Sequence, residues 1–181
     1  MSTRTFAVAV ILSAALAPTL AHADAYDDLL KVQAAFLAAK SWHADELLSN
    51  GKTIVVDYSA PDRWRTQPNP DTTEVIIGDD VYMIHKGKST KMPFGGGMIR
   101  KMIQDAGFSV KDDIRATAKD LGMQTLDGRL LHAYSYAAHD TPVTIYVDAH
   151  HLPVQSNVQD KKGTTTIKYS KFNEPITIEA Q

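Results

Sequence analysis

DGRLLHAYSYAAHDTPVTIYVDAHHLPVQSNVQDKKGTTTIKYS, residues 127–170, is the stretch in which a two-residue period runs longest. Leu130, His132, Tyr134 and Tyr136 make one alternating face, Val143, Ile145 and Val147 a second, and Val154, Ser156 and Val158 a third. Apolar residues at every second position mark strands with one buried face. The runs are separated by Asp127-Gly128, by Ala149-His150-His151 and by Lys161-Lys162-Gly163. Asp-Gly between alternating runs is a strong hairpin signal. Turns this short cannot hold the crossover that parallel neighbours require, so the stretch reads as an antiparallel meander.

Outward from it, the same pattern continues. Toward the N-terminus, Ile54, Val56 and Tyr58 alternate after Asn50-Gly51, a second hairpin signal. Pro61, Pro68 and Pro70 confine the next strand to Arg63-Trp64-Arg65, and Gly78-Asp79-Asp80 joins strands at Glu74–Ile77 and Val81–His85. Toward the C-terminus, Thr164–Tyr169 and Ile176–Ile178 read as closing strands, for eight to eleven in all. The mature chain opens with a helix over 25–40. Asp24 is its expected N-cap, Asp27 and Asp28 lie in the first turn, and Leu29, Leu30, Gln33, Phe36, Leu37 and Lys40 keep helical spacing. Ala34, Ala35, Ala38 and Ala39 keep one side slim enough to lie close on a sheet. Met98–Ile103 has helical spacing too, with Gly107 as C-cap, and Lys111–Ala118 is a weaker helix. The expected fold class is α+β, with one antiparallel sheet, an N-terminal helix and a short central helical flap.

The first 23 residues read as a secretory leader. Arg4 gives a positive start, Phe6–Leu16 is apolar apart from Ser13, and Ala21-His22-Ala23 supplies the small residues of a cleavage site before Asp24. The chain has no cysteine, so neither a lipid anchor at the cleavage site nor a disulfide is available. The expected division is a signal peptide over 1–23 and one domain over 24–181, soluble in the periplasm and monomeric.

Net charge is −2, from 19 basic and 21 acidic residues. That balance gives no basic stripe for nucleic acid. Of the seven histidines, His150 and His151 are adjacent and point apart, while His132 and His139 lie near neighbouring hairpins; no metal centre is expected. Gly95-Gly96-Gly97 lacks the strand–GxxxxGK[ST]–helix frame of a phosphate loop. No G-x-S-x-G elbow accompanies the Ser, His and Asp residues. No catalytic residue and no cofactor is assigned, and an enzyme is not expected.

The apolar inventory carries more information. Trp42, Tyr58, Trp64, Tyr82, Phe94, Tyr134, Tyr136 and Tyr146 are spread over the strands, and Met83, Met92, Met98 and Met102 fall close together. Methionine adapts to irregular apolar partners. The sheet residues expected to face an apolar ligand are Val56, Tyr58, Trp64, Ile77, Met83, Tyr134, Tyr136 and Ile145. Opposite them the segment from Met92 to Ile103 is expected to close the site. Gly95-Gly96-Gly97 serves as hinge for Phe94, Met98, Ile99, Met102 and Ile103. Arg100 and Lys101 flank that stripe, and Arg63 and Arg65 complete a basic rim that would meet an anionic headgroup or a membrane surface in passing.

In order, a leader, a helix, a hairpin ending in VVDYSAPDRWRTQ (55–67), TEVIIGDDVYMI (73–84), a Met-containing helical segment, IYVDAHHLPVQSNVQ (145–159) and TTTIKYSKFNEPITIEA (164–180) resemble the LolA-like superfamily of periplasmic lipid and lipoprotein carriers. The resemblance implies an incomplete β-barrel whose apolar concave face binds acyl chains under covering helices. It also implies a non-enzymatic carrier of an acyl chain, lipid or lipoprotein. The superfamily's lipoprotein carriers have a basic residue before the proline matching Pro61, and here that residue is Ala60. The resemblance therefore points to a lipid-binding relative more than to a lipoprotein shuttle. The alternative is a ligand- or envelope-stress-sensing domain of the same fold, with an envelope protein as partner.

Overall fold

The computed structural model describes residues 21–93, 95 and 114–180. Among these residues a helix, α1 (Ala21–Ala38), precedes eleven strands: β1 (Ser41–Leu47), β2 (Thr53–Ser59), β3 (Arg63–Asn69), β4 (Thr72–Ile77), β5 (Asp80–His85), β6 (Lys88–Lys91), β7 (Lys119–Leu126), β8 (Arg129–Ala138), β9 (Thr141–Val147), β10 (Pro153–Asp160) and β11 (Gly163–Ser170). They form one curved, open antiparallel sheet in the order β6-β5-β4-β3-β2-β1-β11-β10-β9-β8-β7. The sheet is two meanders, β1–β6 and β7–β11, joined where β1 pairs with β11. It does not close: among the described strands β6 and β7 stand at its two edges, and β6 is short and bounded by Lys88 and Lys91, which discourages further strand addition. No described helix is long and apolar enough to cross a membrane.

Several local expectations hold, and others are corrected. The hairpins at Asn50-Gly51 and Asp127-Gly128 are present; Asp127 (φ 50°) and Gly128 (φ 75°) both take the left-handed region that a tight hairpin turn needs. Lys86 (φ 49°) and Gly87 (φ 77°) make a similar turn into β6, a strand absent from the sequence reading. β3 runs on to Asn69 because Pro68 falls at a register shift between Thr66 and Asn69, where a missing N–H does no harm to the ladder. Ile176–Ile178 is not a strand. The helix begins at Ala21, so Asp24 lies within its first turn and not at its cap. The flap, with Met98–Ile103, and the Gly107 cap lie outside the described residues, as does most of Lys111–Ala118; its end, Ile114–Thr117, is a turn closed by Thr117 N–H to the Ile114 carbonyl.

α1 packs on one face of the sheet, here the inner face. Ala25, Tyr26, Leu29 and Val32 bury Tyr134, Ile145 and Val147, together with Ile114 and Ala118. Phe36 and Ala39 gather Trp42, Ala44, Val56, Tyr58, Trp64, Ile167, Tyr169 and Phe172. Phe36 lies 5.1 Å from Trp42 and 5.8 Å from Tyr169, centroid to centroid, and Tyr58 lies 4.6 Å from Trp64. Tilted and edge-on ring pairs of this kind add to simple burial.

The outer face has its own cover. After β11 the chain passes over the row Ser41, Ser59, Arg63 and Ile77. The Ser41 hydroxyl donates to the Glu174 carbonyl, Arg63 donates to the Ile178 carbonyl at 2.8 Å, and the Ile178 side chain is buried. The Asn173 side chain accepts from the Lys40 N–H at 2.8 Å. On the same face Asp57 is buried and fully paired: Arg65 donates twice to one oxygen at 2.7 and 2.9 Å, and His43 bonds the other at 2.8 Å. A buried carboxylate is tolerable only when matched in this way.

Candidate functional site

Strand register assigns each side chain to a face, because directly opposed residues in antiparallel strands point the same way. The central inner row runs Tyr134, Ile145, Ser156, Ile167, Glu46 and Ile54. A second row runs Tyr136, Val143, Val158 and Thr165. A third runs Tyr169, Ala44, Val56, Thr66, Glu74 and Met83, and a fourth Trp42, Tyr58, Trp64, Ile76 and Val81.

α1 divides these rows. At the end of the sheet where α1 joins β1, inner residues are buried: Trp42, Ala44, Ile76, Val81, Ile145 and Val147. At the opposite end, which carries the turns at Asn50-Gly51, His139-Asp140 and Lys161-Lys162, they are half-exposed: Ile54, Val56, Met83, Tyr136, Val158 and Ile167. The helix buries one half of the inner face; on the other, Val56 and Ile167 border the Phe36 cluster and Tyr136 the Leu29 cluster, and the apolar residues there are only partly buried.

Of the ligand residues expected from sequence, Val56, Tyr58, Trp64, Met83, Tyr134, Tyr136 and Ile145 all stand on the inner face. The structure separates them by role. Tyr134 and Ile145 are buried under α1, and Tyr58 and Trp64 belong to the aromatic cluster at its C-terminal end. Val56 packs against the same cluster as Tyr58 and Trp64, Tyr136 packs against the cluster of Leu29 and Tyr134, and all four, like Met83, are half-buried. Met92 extends the β6 ladder, its N–H donating to the Val81 carbonyl at 2.8 Å. Ile77 is corrected: it opposes Arg63 and Asp80 on the outer face, because Ile76 and not Ile77 is in register with Trp64. In an apolar pair of neighbours, alternation alone does not choose which one points inward. Phe94, Met98, Ile99, Met102, Ile103, Arg100 and Lys101 lie outside the described residues. Arg63 and Arg65 do not form a rim to the inner face; both are on the outer face, Arg63 on the Ile178 carbonyl and Arg65 on Asp57. Ile54, Val158, Ile167 and Glu46 stand on the same inner face, although the sequence reading did not single them out; the first three sit at alternating positions, and the charge of Glu46 gave no apolar signal.

The electrostatics of the inner face are set by burial. Burial, then the nearby Glu46 carboxylate, pushes the Tyr169 phenol up to about 12, against a hydrogen bond with Ser156 that works the other way. Burial, reinforced by Tyr169, also raises Tyr136, and burial raises Glu46. Near α1 the Tyr134 hydroxyl donates to Asp28 at 3.1 Å, and burial followed by the Asp28 charge raises its pKa. Burial pushes the Asp28 carboxyl up, but hydrogen bonds from Lys31 and Tyr134 outweigh it and hold the group below its usual value. His43 is held by Asp57 at 2.8 Å on one nitrogen and by Asp45 at 3.4 Å on the other, so neither nitrogen is offered to a nucleophile. No group of three or more His, Asp or Glu able to hold a metal ion occurs among the described residues. Two recesses, of about 260 Å³ beside Asp45, Arg129 and Lys168 and about 460 Å³ beside Asp79, Asp80 and Lys91, are lined by charged groups; neither is an apolar cavity of the inner face.

No family model and no curated protein matches the sequence. Solved structures do match. LprF from Mycobacterium bovis superposes with a TM-score of 0.61 over 87% of this chain and 96% of its own, at 15% identity. The lipoprotein LppX from Mycobacterium tuberculosis superposes with a TM-score of 0.62 over 87% of this chain and 99% of its own, at 14% identity. This chain has the LolA-like fold. The resemblance drawn from the order of sequence motifs holds at that level. Within the LolA-like sheet, the half of the inner face that α1 leaves uncovered is the surface on which this chain's own chemistry must be read.

Proposed function

We propose that the protein is a non-enzymatic carrier of an acyl chain or similar amphiphile, exported by its leader and working outside the cytoplasm as a monomer. The observation that supports this is the strip of Ile54, Val56, Tyr136, Val158 and Ile167, apolar and half-exposed beside a helix that buries only the other half of the face. An acyl chain entering water costs about 0.8 kcal/mol per CH₂. A curved apolar sheet supplies a soluble surface that offsets this cost, and a row of apolar side chains left only partly buried calls for an occupant. The likeness to a lipoprotein such as LppX agrees with a role at a membrane. In this reading Met92, Phe94, Met98, Ile99, Met102 and Ile103 would close over the ligand, with Arg100 and Lys101 beside them.

Mass spectrometry of an organic extract of the natively purified protein should reveal co-purified lipid. Titration with a fluorescent fatty acid should saturate, and Ile167→Asp should weaken it about tenfold or more. Leu37→Asp, at a helix position 67% exposed, should leave it unchanged. No lipid in the extract and no saturable titration would refute the carrier. Capture of an envelope protein in place of lipid would favour the sensing alternative.

A further inference from the structure

The half of the inner face that α1 does not bury carries two carboxylates: Glu74, exposed beside Met83, and Glu46, half-buried beside the apolar residues of β11, β10, β9 and β8. Glu46 opposes Ile54 on β2 and Ile167 on β11, so its side chain shares their face. It is the single charged side chain on the inner face of β1, β2, β9 and β11. It is half-buried, and it makes no hydrogen bond or ion pair with any described residue. One row away stands Tyr169, opposite Ala44, its phenol hydrogen-bonded with the buried Ser156. From Glu46 the face continues through Ile167, Val158, Val143 and Tyr136, one residue on each successive strand from β11 to β8. Three inter-strand spacings give this apolar run about 14 Å of arc, with Glu46 one strand beyond its end. The basic residues nearest in the sheet are engaged elsewhere: Arg65 with Asp57 and Lys168 with Asp127, both on the outer face.

A carboxylate accepts hydrogen bonds and donates none. Partly withdrawn from water and with no counter-charge among the described residues, it is poorly satisfied, and a bound cation would answer it. We infer that Glu46 is the headgroup-binding residue of the carrier and that its ligand is an amphiphile whose polar end is a primary amine or comparable ammonium group. This rests on the carrier reading above. The hydrocarbon lies along Ile167, Val158, Val143 and Tyr136, and the ammonium donates to Glu46 with the Tyr169 phenol beside it. An anionic headgroup is disfavoured at the same point by like-charge repulsion.

The test compares three probes of equal chain length, each below its micelle concentration: dodecylamine, dodecanol and dodecanoate. Binding is followed by calorimetry on the wild type, Glu46→Gln and Asp27→Asn, the last removing an exposed helix charge to control for general attraction of a cation. The wild type should bind dodecylamine about tenfold more tightly than dodecanol, the increment of one charge-assisted hydrogen bond. Dodecanoate should be weakest. Glu46→Gln should erase the preference while keeping dodecanol affinity, and Asp27→Asn should retain it. Equal binding of amine and alcohol by the wild type, or a preference that survives Glu46→Gln, overturns the headgroup assignment and leaves the carrier standing. An equal loss in Asp27→Asn overturns it too. Binding of none of the three refutes the carrier and this assignment with it.

Discussion

A carboxylate held between two isoleucines, with no counter-charge among the described residues, costs the empty protein stability whenever it is ionised. Burial raises the folded-state pKa of Glu46, so its contribution follows a definite sign. Below the unfolded-state value the group is protonated in both states and there is no penalty. As pH rises through the folded-state pKa the unfolded chain releases its proton more readily, and stability falls. Glu46→Gln should therefore raise the urea midpoint at pH 7 and change nothing at pH 3, with an unaltered m-value. A midpoint difference of the same size at both pH values would show that the effect is packing and not charge. Asp57 illustrates the opposite arrangement on the outer face, where three donor contacts satisfy a buried carboxylate. The sequence distinguished neither case, because each acid is simply a polar residue in an alternating run and only its cross-strand neighbours reveal its surroundings.

Elements were legible to the degree that their signals were local. Asn50-Gly51 and Asp127-Gly128 marked hairpins because a left-handed turn is a property of two residues. β6 passed unseen because it is four residues long and rich in lysine. The Ile176–Ile178 segment alternates like a strand, but its place is fixed by Ser41 and Arg63, more than a hundred residues earlier in the chain. Ile77 was misassigned because Ile76 and Ile77 are both apolar and only pairing with Trp64 chooses between them. The helix was clear from its spacing, but the half of the sheet it covers was not. That depends on Phe36, whose ring meets Trp42, Tyr169 and Phe172 within 6.2 Å. Phe36→Ala should cost about 3–5 kcal/mol in urea unfolding and diminish the near-UV dichroism of the aromatic cluster. A loss below 1 kcal/mol would mean that α1 is anchored mainly by Leu29 and Val32 at its other end.

At the scale of the whole molecule the order of strands was readable, because consecutive strands linked by short turns must pair with each other. The open, curved form entered from the family resemblance and not from periodicity, which is blind to curvature. The positions of β6 and β7 at the edges of the described sheet and the helix on one half of the face then follow from the register of the strands.

The join between β1 and β11 has a kinetic consequence. Every other pairing of the sheet closes a short turn, whereas the contact of Leu47 with Thr166 closes nearly the whole domain into a loop. Relative to a four-residue turn, that closure costs about 3 kcal/mol more in chain entropy. The two meanders can each assemble first, and their union should be the late event on the folding path. Glu46 and Ile167 sit opposite each other across this seam, so an amphiphile bound there bridges both meanders. Bound ligand should slow unfolding and leave the refolding rate unchanged, the signature of contacts absent from the transition state. Stopped-flow unfolding with and without dodecylamine measures this. Accelerated refolding with unfolding unaltered would place the seam on the early side of the barrier.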